Sequence, residues 1–170
     1  KNEPINYLFE LRFAKDLMPI LPNSISHGQL INSILSPLLS PPLYHAHLNF
    51  DSLKIPLRIV TTNIINGQTV VFSKGNLTDI IRASCGIPLA FSPVAIDTML
   101  LLDGGLTANI PVEAAIQENP DYIIAVDVTS PMWSKGDLNN PIHLFDQIVA
   151  IGIDKQKKNQ KKLADVVIIP

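Results

Sequence analysis

Residues 122–128 read YIIAVDV, an apolar run without alternation. A strand with one wet face alternates apolar and polar side chains, so an unbroken run is expected of a strand covered by helices on both faces. A helical pattern follows. Pro141 opens it, and Leu144, Phe145, Ile148, Val149 and Ile153 recur at helix spacing before a turn rich in lysine. Residues 165–169 (DVVII) then read as one more strand. Strand, helix and strand in that order make a crossover, which imposes parallel pairing. With a further helix from about Pro111 to Glu118, the second half predicts an α/β fold with a mostly parallel sheet.

The first half carries shorter signals. Residues 5–18 place Ile5, Leu8, Phe9, Phe13, Leu17 and Met18 at helix spacing, and Pro19 and Pro22 are expected to end that helix. Ser26 with Gln29 fits a capping box for a second helix through Leu30, Ile31, Ile34 and Leu35, closed by Pro37, Pro41 and Pro42. Residues 57–65 are rich in β-branched side chains and read as a strand. Asn66-Gly67 predicts a type I′ turn into a return strand over 68–73. Residues 77–83 suit a short helix with Asp79 in its first turn, and 94–96 and 99–102 flank Asp97-Thr98 as a second hairpin.

Composition bounds the function. With 46% apolar and 16% charged residues, the chain has the material for a packed core and lacks the character of a disordered one. A net charge of −2 gives no global field to draw nucleic acid, so no nucleic-acid partner is expected. The single cysteine, Cys85, excludes an internal disulfide and a cysteine-based zinc site. The apolar runs 122–126 and 166–169 are far shorter than the ~20 residues of a membrane-spanning helix. At 170 residues the chain suffices for one domain. It starts Lys-Asn-Glu-Pro, with no initiator Met and no signal-like apolar stretch, so it reads as processed or as a piece of something longer.

The chemistry concentrates between Arg82 and Val128. Asp103 stands just past the end of an apolar strand, and Gly104 and Gly105 follow it. Sites in open α/β sheets gather at that end of the strands. Residues without a Cβ let the chain turn sharply and let a second backbone or a substrate come close. A carboxylate held and partly desolvated there serves as a base. Taken alone, Asp-Gly is also a common turn dipeptide.

The surrounding residues narrow the choice. Arg82-Ala83-Ser84-Cys85-Gly86-Ile87-Pro88 and Phe91-Ser92-Pro93-Val94 precede Leu101-Leu102-Asp103-Gly104-Gly105-Leu106-Thr107-Ala108-Asn109-Ile110-Pro111-Val112. Ile124-Ala125-Val126-Asp127-Val128 completes the series. Together they closely resemble the patatin-like phospholipase family. That family has a similar Arg-Ala-Ser, Ile-Pro and Phe-x-Pro-Val stretch, an Asp-Gly-Gly or Asp-Gly-Ala motif, and an Asn-x-Pro after it. Pro56-Leu57-Arg58-Ile59-Val60-Thr61-Thr62, with Val71-Phe72-Ser73-Lys74-Gly75 beyond Gly67, is similar to its bacterial branch. The resemblance spans most of residues 50–130.

It implies a three-layer α/β/α fold and a lipid acyl hydrolase, a serine esterase of phospholipase A or lysophospholipase type that degrades acyl-ester lipids with a Ser-Asp dyad. Asp103 matches the proton acceptor, Gly104 and Gly105 shape its loop, and Asn109 is expected to hold that loop or to cap the next helix. No metal and no organic cofactor are expected. The expected partner is a phospholipid or another acyl-ester lipid, with peripheral membrane contact. The resemblance points to a bacterial cytoplasm or a membrane-associated place in the cell envelope.

The chain departs from the family in two respects, and the lesser is Leu89-Ala90 after Pro88, where relatives often have a glycine, which bears on local loop shape alone. The nucleophile belongs on a Gly-x-Ser-x-Gly elbow, and no serine here has glycine two positions away on both sides. Ser73, Ser84 and Ser134 have only the later glycine. No glycine-rich oxyanion loop occurs either. Both elements lie upstream of the matched segment in the family, so residues 1–170 are expected to form a single partial domain, its C-terminal part. The alternative is a non-catalytic module that binds lipid or another ligand on a degenerate scaffold of this type.

Other residues carry weaker signals. His45-x-His47, with only Asp51 near, reads as structural or solvated, since two ligands seldom make a site. His143 falls on the polar side of its helix. Ser84-Cys85 reads as a small buried pair packed near Asp103. Lys155, Lys157, Lys158, Lys161 and Lys162 read as a solvated face that opposes the helix dipole, with contact to anionic lipid as the minority reading. Trp133 caps the core or meets a membrane, and Asn76-Leu77-Thr78 matches a glycosylation sequon.

Overall fold

The computed structural model describes residues 47–170 throughout and, before them, Arg12–Phe13, Pro19–Ile20, Ser26 and residues 28–45; of the first two pairs and of residues 42–45 only the backbone is described. Strand β1 (Arg12–Phe13) pairs antiparallel with β2 (Pro19–Ile20). Residues 12 and 13 are therefore extended where their spacing predicts a helix, because their backbone pairs with Pro19 and Ile20. The remainder of that expected helix, like His27, lies outside the described residues.

Helix α1 (Gln29–His45) runs straight through Pro37, Pro41 and Pro42, which were expected to close it. A proline inside a helix strips the carbonyl four residues earlier of its N–H partner. Those carbonyls belong to Ser33, Pro37 and Leu38, all exposed residues whose backbone water can reach. The expected capping box does not form. Ser26 Oγ accepts from the Gly28 N–H at 3.1 Å, and Gly28 O takes the first helical N–H, from Asn32.

Strands β3 (Ile59–Asn63) and β4 (Gln68–Phe72) form a hairpin. Its turn spans the four residues 64–67, not the two of a type I′ turn. The Asn63 side chain accepts from the Ile65 N–H, the Asn63 carbonyl accepts from Gly67, and only Gly67 has positive φ. Helix α2 (Leu77–Ser84) is capped by Asn76, whose Oδ1 accepts from the Thr78 N–H and whose amide donates to Asp79, so the sequon asparagine has a structural task. Strands β5 (Val94–Ile96) and β6 (Met99–Asp103) make the second hairpin through Asp97, at φ 52°.

These strands join as one sheet in the order β4-β3-β6-β5, antiparallel at every pair. This corrects the expected mostly parallel sheet. Tight turns such as those at 64–67 and 97–98 can only join antiparallel neighbours. Helix α2 lies on the face carrying Ile59, Phe72, Val94 and Leu101, and Leu77, Ile80 and Ala83 fill the core between them with Phe50.

Two short helices follow, α3 (Gly105–Ala108) and α4 (Val112–Ile116). Strand β7 (Ile124–Val126), helix α5 (Pro141–Lys161) and strand β8 (Val166–Ile168) then form the expected crossover, with β7 and β8 parallel. Asn140 caps α5 through its Oδ1 and Pro141 opens the first turn. One face of this pair packs Ala125 and Val167 against Ile110 and Val112. On the other face Ile124 is 59% exposed and Val126 51%, so the 122–128 run is covered on one side only, contrary to expectation. Among the described residues nothing packs on the second side. The chain is of the α/β class, and no helix among the described residues is long and apolar enough to cross a membrane.

Candidate active site

Asp103 ends β6, opposite Thr61 of β3. Its backbone is held from both sides: the Asp103 N–H donates to Gly86 O at 3.1 Å, and Thr62 Oγ1 donates to Asp103 O at 2.8 Å. The chain then turns into α3 through Gly104. A Cβ at Gly104 would stand 2.3 Å from the Val60 carbonyl oxygen, so only glycine fits. The turn brings the Gly105 N–H back onto Asp103 Oδ1 at 2.8 Å. One carboxylate oxygen is thereby fixed, and among the described residues nothing hydrogen-bonds Oδ2.

Asp103, Gly104, Gly105 and Asn109 line one cavity of about 430 Å³ with Ser84 and Cys85. Asn109 follows α3, and its amide nitrogen lies beside Gly105, 3.2 Å from where a Cβ would be. Its Oδ1 is buried without a hydrogen-bond partner among the described residues. The N-cap position of α4 is taken by Pro111, not Asn109. Thr62, Thr69 and Thr107 join hydroxyls at 2.9 Å and tie α3 to β3 and β4.

Ser84 and Cys85 part company at the end of α2. The half-buried Ser84 hydroxyl donates to Val60 O at 2.8 Å, pinning the helix to β3. Cys85 is exposed, not buried as expected, because it lies just past the last helical residue. Partial desolvation, and after it the charge of Asp103, push its thiol pKa up. Leu89, at φ 69°, holds a left-handed conformation that favours glycine.

Arg58 forms the charged wall of the cavity, and sequence reading missed its role. Its guanidinium grips Glu118 through two bonds of 2.7 Å and Asp51 through one of 2.6 Å, which raise its pKa. Glu118 is 60 positions away, so no local pattern announces the pair.

The remaining candidates fall elsewhere. His47 is exposed, the side chain of His45 lies outside the described residues, and among those described no three His, Cys, Asp or Glu residues could hold a metal ion. His143 is not free on a polar face: its ring stacks on Trp133 at 3.8 Å. The five lysines do not form one solvated face. Lys157 and Lys161 turn inward, to Thr129 Oγ1 at 3.0 Å and to the buried Asp127 at 2.7 Å, because that side of α5 faces the residues that follow β7.

An aspartate held at a strand end by its own glycine turn thus stands over a cavity, beside an antiparallel sheet. The family model described as patatin-like phospholipase matches residues 6–116, and the chain belongs to that family. It is 37% identical over 78 residues to an uncharacterized NTE family protein of Mycobacterium tuberculosis, covering 46% of this chain and 22% of that protein. A second uncharacterized NTE family protein of that organism is 32% identical over 69 residues, 41% of this chain and 12% of the relative. Lysophospholipase NTE1 of Scheffersomyces stipitis is 40% identical over 70 residues, 41% of this chain and 4% of the yeast protein. The matched part of the chain thus spans about a fifth of the length of the first relatives, and less of the others.

Proposed function

We propose that this chain carries the proton acceptor of a serine-dependent lipid acyl hydrolase. The observation that supports this best is the carboxylate of Asp103. Gly105 fixes its Oδ1, Oδ2 stays without a partner among the described residues, and the residue lines a cavity. A base needs one oxygen held in place and one free to take a proton. The family and the lysophospholipase named among the relatives favour a phospholipid or lysophospholipid ester as substrate.

In this reading a serine hydroxyl gives its proton to Asp103 as its oxygen attacks the ester carbonyl. Collapse of the tetrahedral adduct expels the alcohol, which takes that proton back, and leaves an acyl-serine. Water then repeats the steps and frees the acid. No metal or cofactor enters. The serine and its oxyanion donors belong to a segment N-terminal to this chain. The bare face of β7 and β8, with Ile124, Val126 and Ile168 exposed, supports a domain larger than these residues, whose further strands would complete the layers. The dedication of Ser84 to Val60 O also argues against a nucleophile within α2.

The test is Asp103→Asn in the full-length protein. The amide keeps an oxygen for the Gly105 N–H and cannot take the serine proton. Hydrolysis of a lysophospholipid should fall at least ~10²-fold, as for loss of a general base, with the melting temperature little changed. Near-normal turnover overturns the assignment. Stoichiometric labelling of the isolated 170-residue chain by a fluorophosphonate overturns the upstream nucleophile. A full-length protein that takes no such label and hydrolyses no ester is the binding module.

A further inference from the structure

The outer side of α5 carries a line of side chains that the proposed reaction does not use. Leu144, Ile148, Ile151, Lys155, Lys158 and Lys162 follow one another at steps of four, three, four, three and four. At about 100° per residue they all lie within about 40° of one line. Leu144 is 45% exposed, Ile148 60% and Ile151 58%, and the three lysines are exposed as well. The opposite side of the helix is the packed one. There Gln156 donates to the Thr107 carbonyl, Gln160 accepts from the Glu113 N–H, and Lys161 pairs with Asp127. The outer line is therefore apolar over the first turns and cationic over the last.

Its surroundings fit the same division. Met132, 52% exposed, and Trp133, 38% exposed, flank the apolar end. Trp133 is fixed there by its indole N–H on Asp146 and by its stack on His143. The acidic groups of α5 and of the turn before it are engaged: Asp146 by that indole, Asp137 by the Ser134 hydroxyl, and Asp154 by Lys158 at 2.6 Å. Lys155 and Lys162 have no acidic partner among the described residues. A parallel seam between two copies would set these lysines against each other. An anionic bilayer accepts both halves: aliphatic side chains sink below the headgroups, an indole sits at their level, and lysines reach lipid phosphate along their own stems.

We infer that the outer face of α5, from Leu144 to Lys162 with Trp133 beside it, docks on the surface of an anionic phospholipid bilayer. This rests on the acyl-hydrolase reading in one respect, that such a surface holds the substrate. Full-length protein sedimented with phosphatidylcholine vesicles, with and without phosphatidylglycerol, tests it. Binding should require phosphatidylglycerol, weaken as salt is raised, and weaken about fivefold for each of Lys155→Gln and Lys162→Gln. Ile148→Asp with Ile151→Asp should lower it at least tenfold. All three variants should melt like the parent and hydrolyse a short-chain soluble ester unchanged.

Absence of vesicle binding, or equal binding by parent and variants, overturns the inference. Self-association that Ile148→Asp abolishes, without vesicle binding, identifies a second copy as the occupant and overturns it too. A soluble ester hydrolysed by protein that ignores vesicles defeats docking alone. Vesicles bound by protein that hydrolyses no ester defeat the acyl-hydrolase reading alone.

Discussion

Gly104 lies so close to Val60 that a Cβ on it would stand 2.3 Å from the Val60 carbonyl oxygen and 2.7 Å from the carbonyl carbon. Both obstacles are backbone of β3, paired with Val71 of β4, and the Val60 oxygen also accepts from the Ser84 hydroxyl. Neither can swing away as a side-chain tip does. The Gly104→Ala variant should therefore lose about 1–3 kcal/mol of stability, the range for overpacked sites. Its turn should shift and weaken the Gly105–Asp103 bond, lowering hydrolysis in the full-length protein. Urea unfolding and ester turnover check the two effects. The Gly136→Ala variant is the control, because a Cβ there meets only the Ser134 hydroxyl, at 3.9 Å.

Cys85 reports on Asp103 without any need for turnover. Its thiol pKa is raised first by desolvation and then by the Asp103 charge. A raised pKa means less thiolate near neutrality and slow alkylation. Neutralising the carboxylate removes the second cause and leaves the first. Asp103→Asn should thus speed iodoacetamide labelling of Cys85 several-fold at pH 7–8, and the rate-against-pH curve should move to lower pH. An unchanged curve would show that the two groups are not neighbours. Cys85 is the only cysteine in these 170 residues, so peptide mapping of the label reads this site.

The parts of this fold that were legible in sequence are those decided locally. Residues 68–72 and 99–103 lie in hairpins announced by the turn residues between their strands, and both formed. The Asp103-Gly104-Gly105 motif carried its own geometry, since the carboxylate is bonded by an N–H two residues on. What sequence missed depends on partners far along the chain. Arg58 belongs to the cavity wall because of Glu118, and Lys161 turns inward because of Asp127. Three prolines failed to end α1, and the carbonyls they leave without an N–H partner belong to exposed residues. The antiparallel sheet was misjudged for a different reason: the only crossover in the chain's second half, β7-α5-β8, pairs two strands outside that sheet.

The Asp127–Lys161 pair should govern how stability responds to acid. Asp127 is buried, and its carboxylate receives Lys161 Nζ at 2.7 Å, the Thr129 hydroxyl and the Thr129 N–H. The Lys161 bond, and after it the Thr129 hydroxyl, hold its pKa well below the ordinary 3.8. A carboxyl group depressed in the folded state stabilises the fold fully above its unfolded pKa, and that stabilisation is lost as pH falls through the folded value. The melting temperature should therefore decline as pH drops below about 4. Asp127→Asn should remove about 2–3 kcal/mol near neutrality, in line with hydrogen bonds to charged groups, and should flatten the acid limb of the curve. Lys161→Met should cost as much or more, because it leaves the buried carboxylate without its cation. Thermal unfolding of the full-length protein between pH 3 and 7 checks these signs. An Asp127→Asn protein with the parent's slope below pH 4 would remove the pair from any account of acid stability.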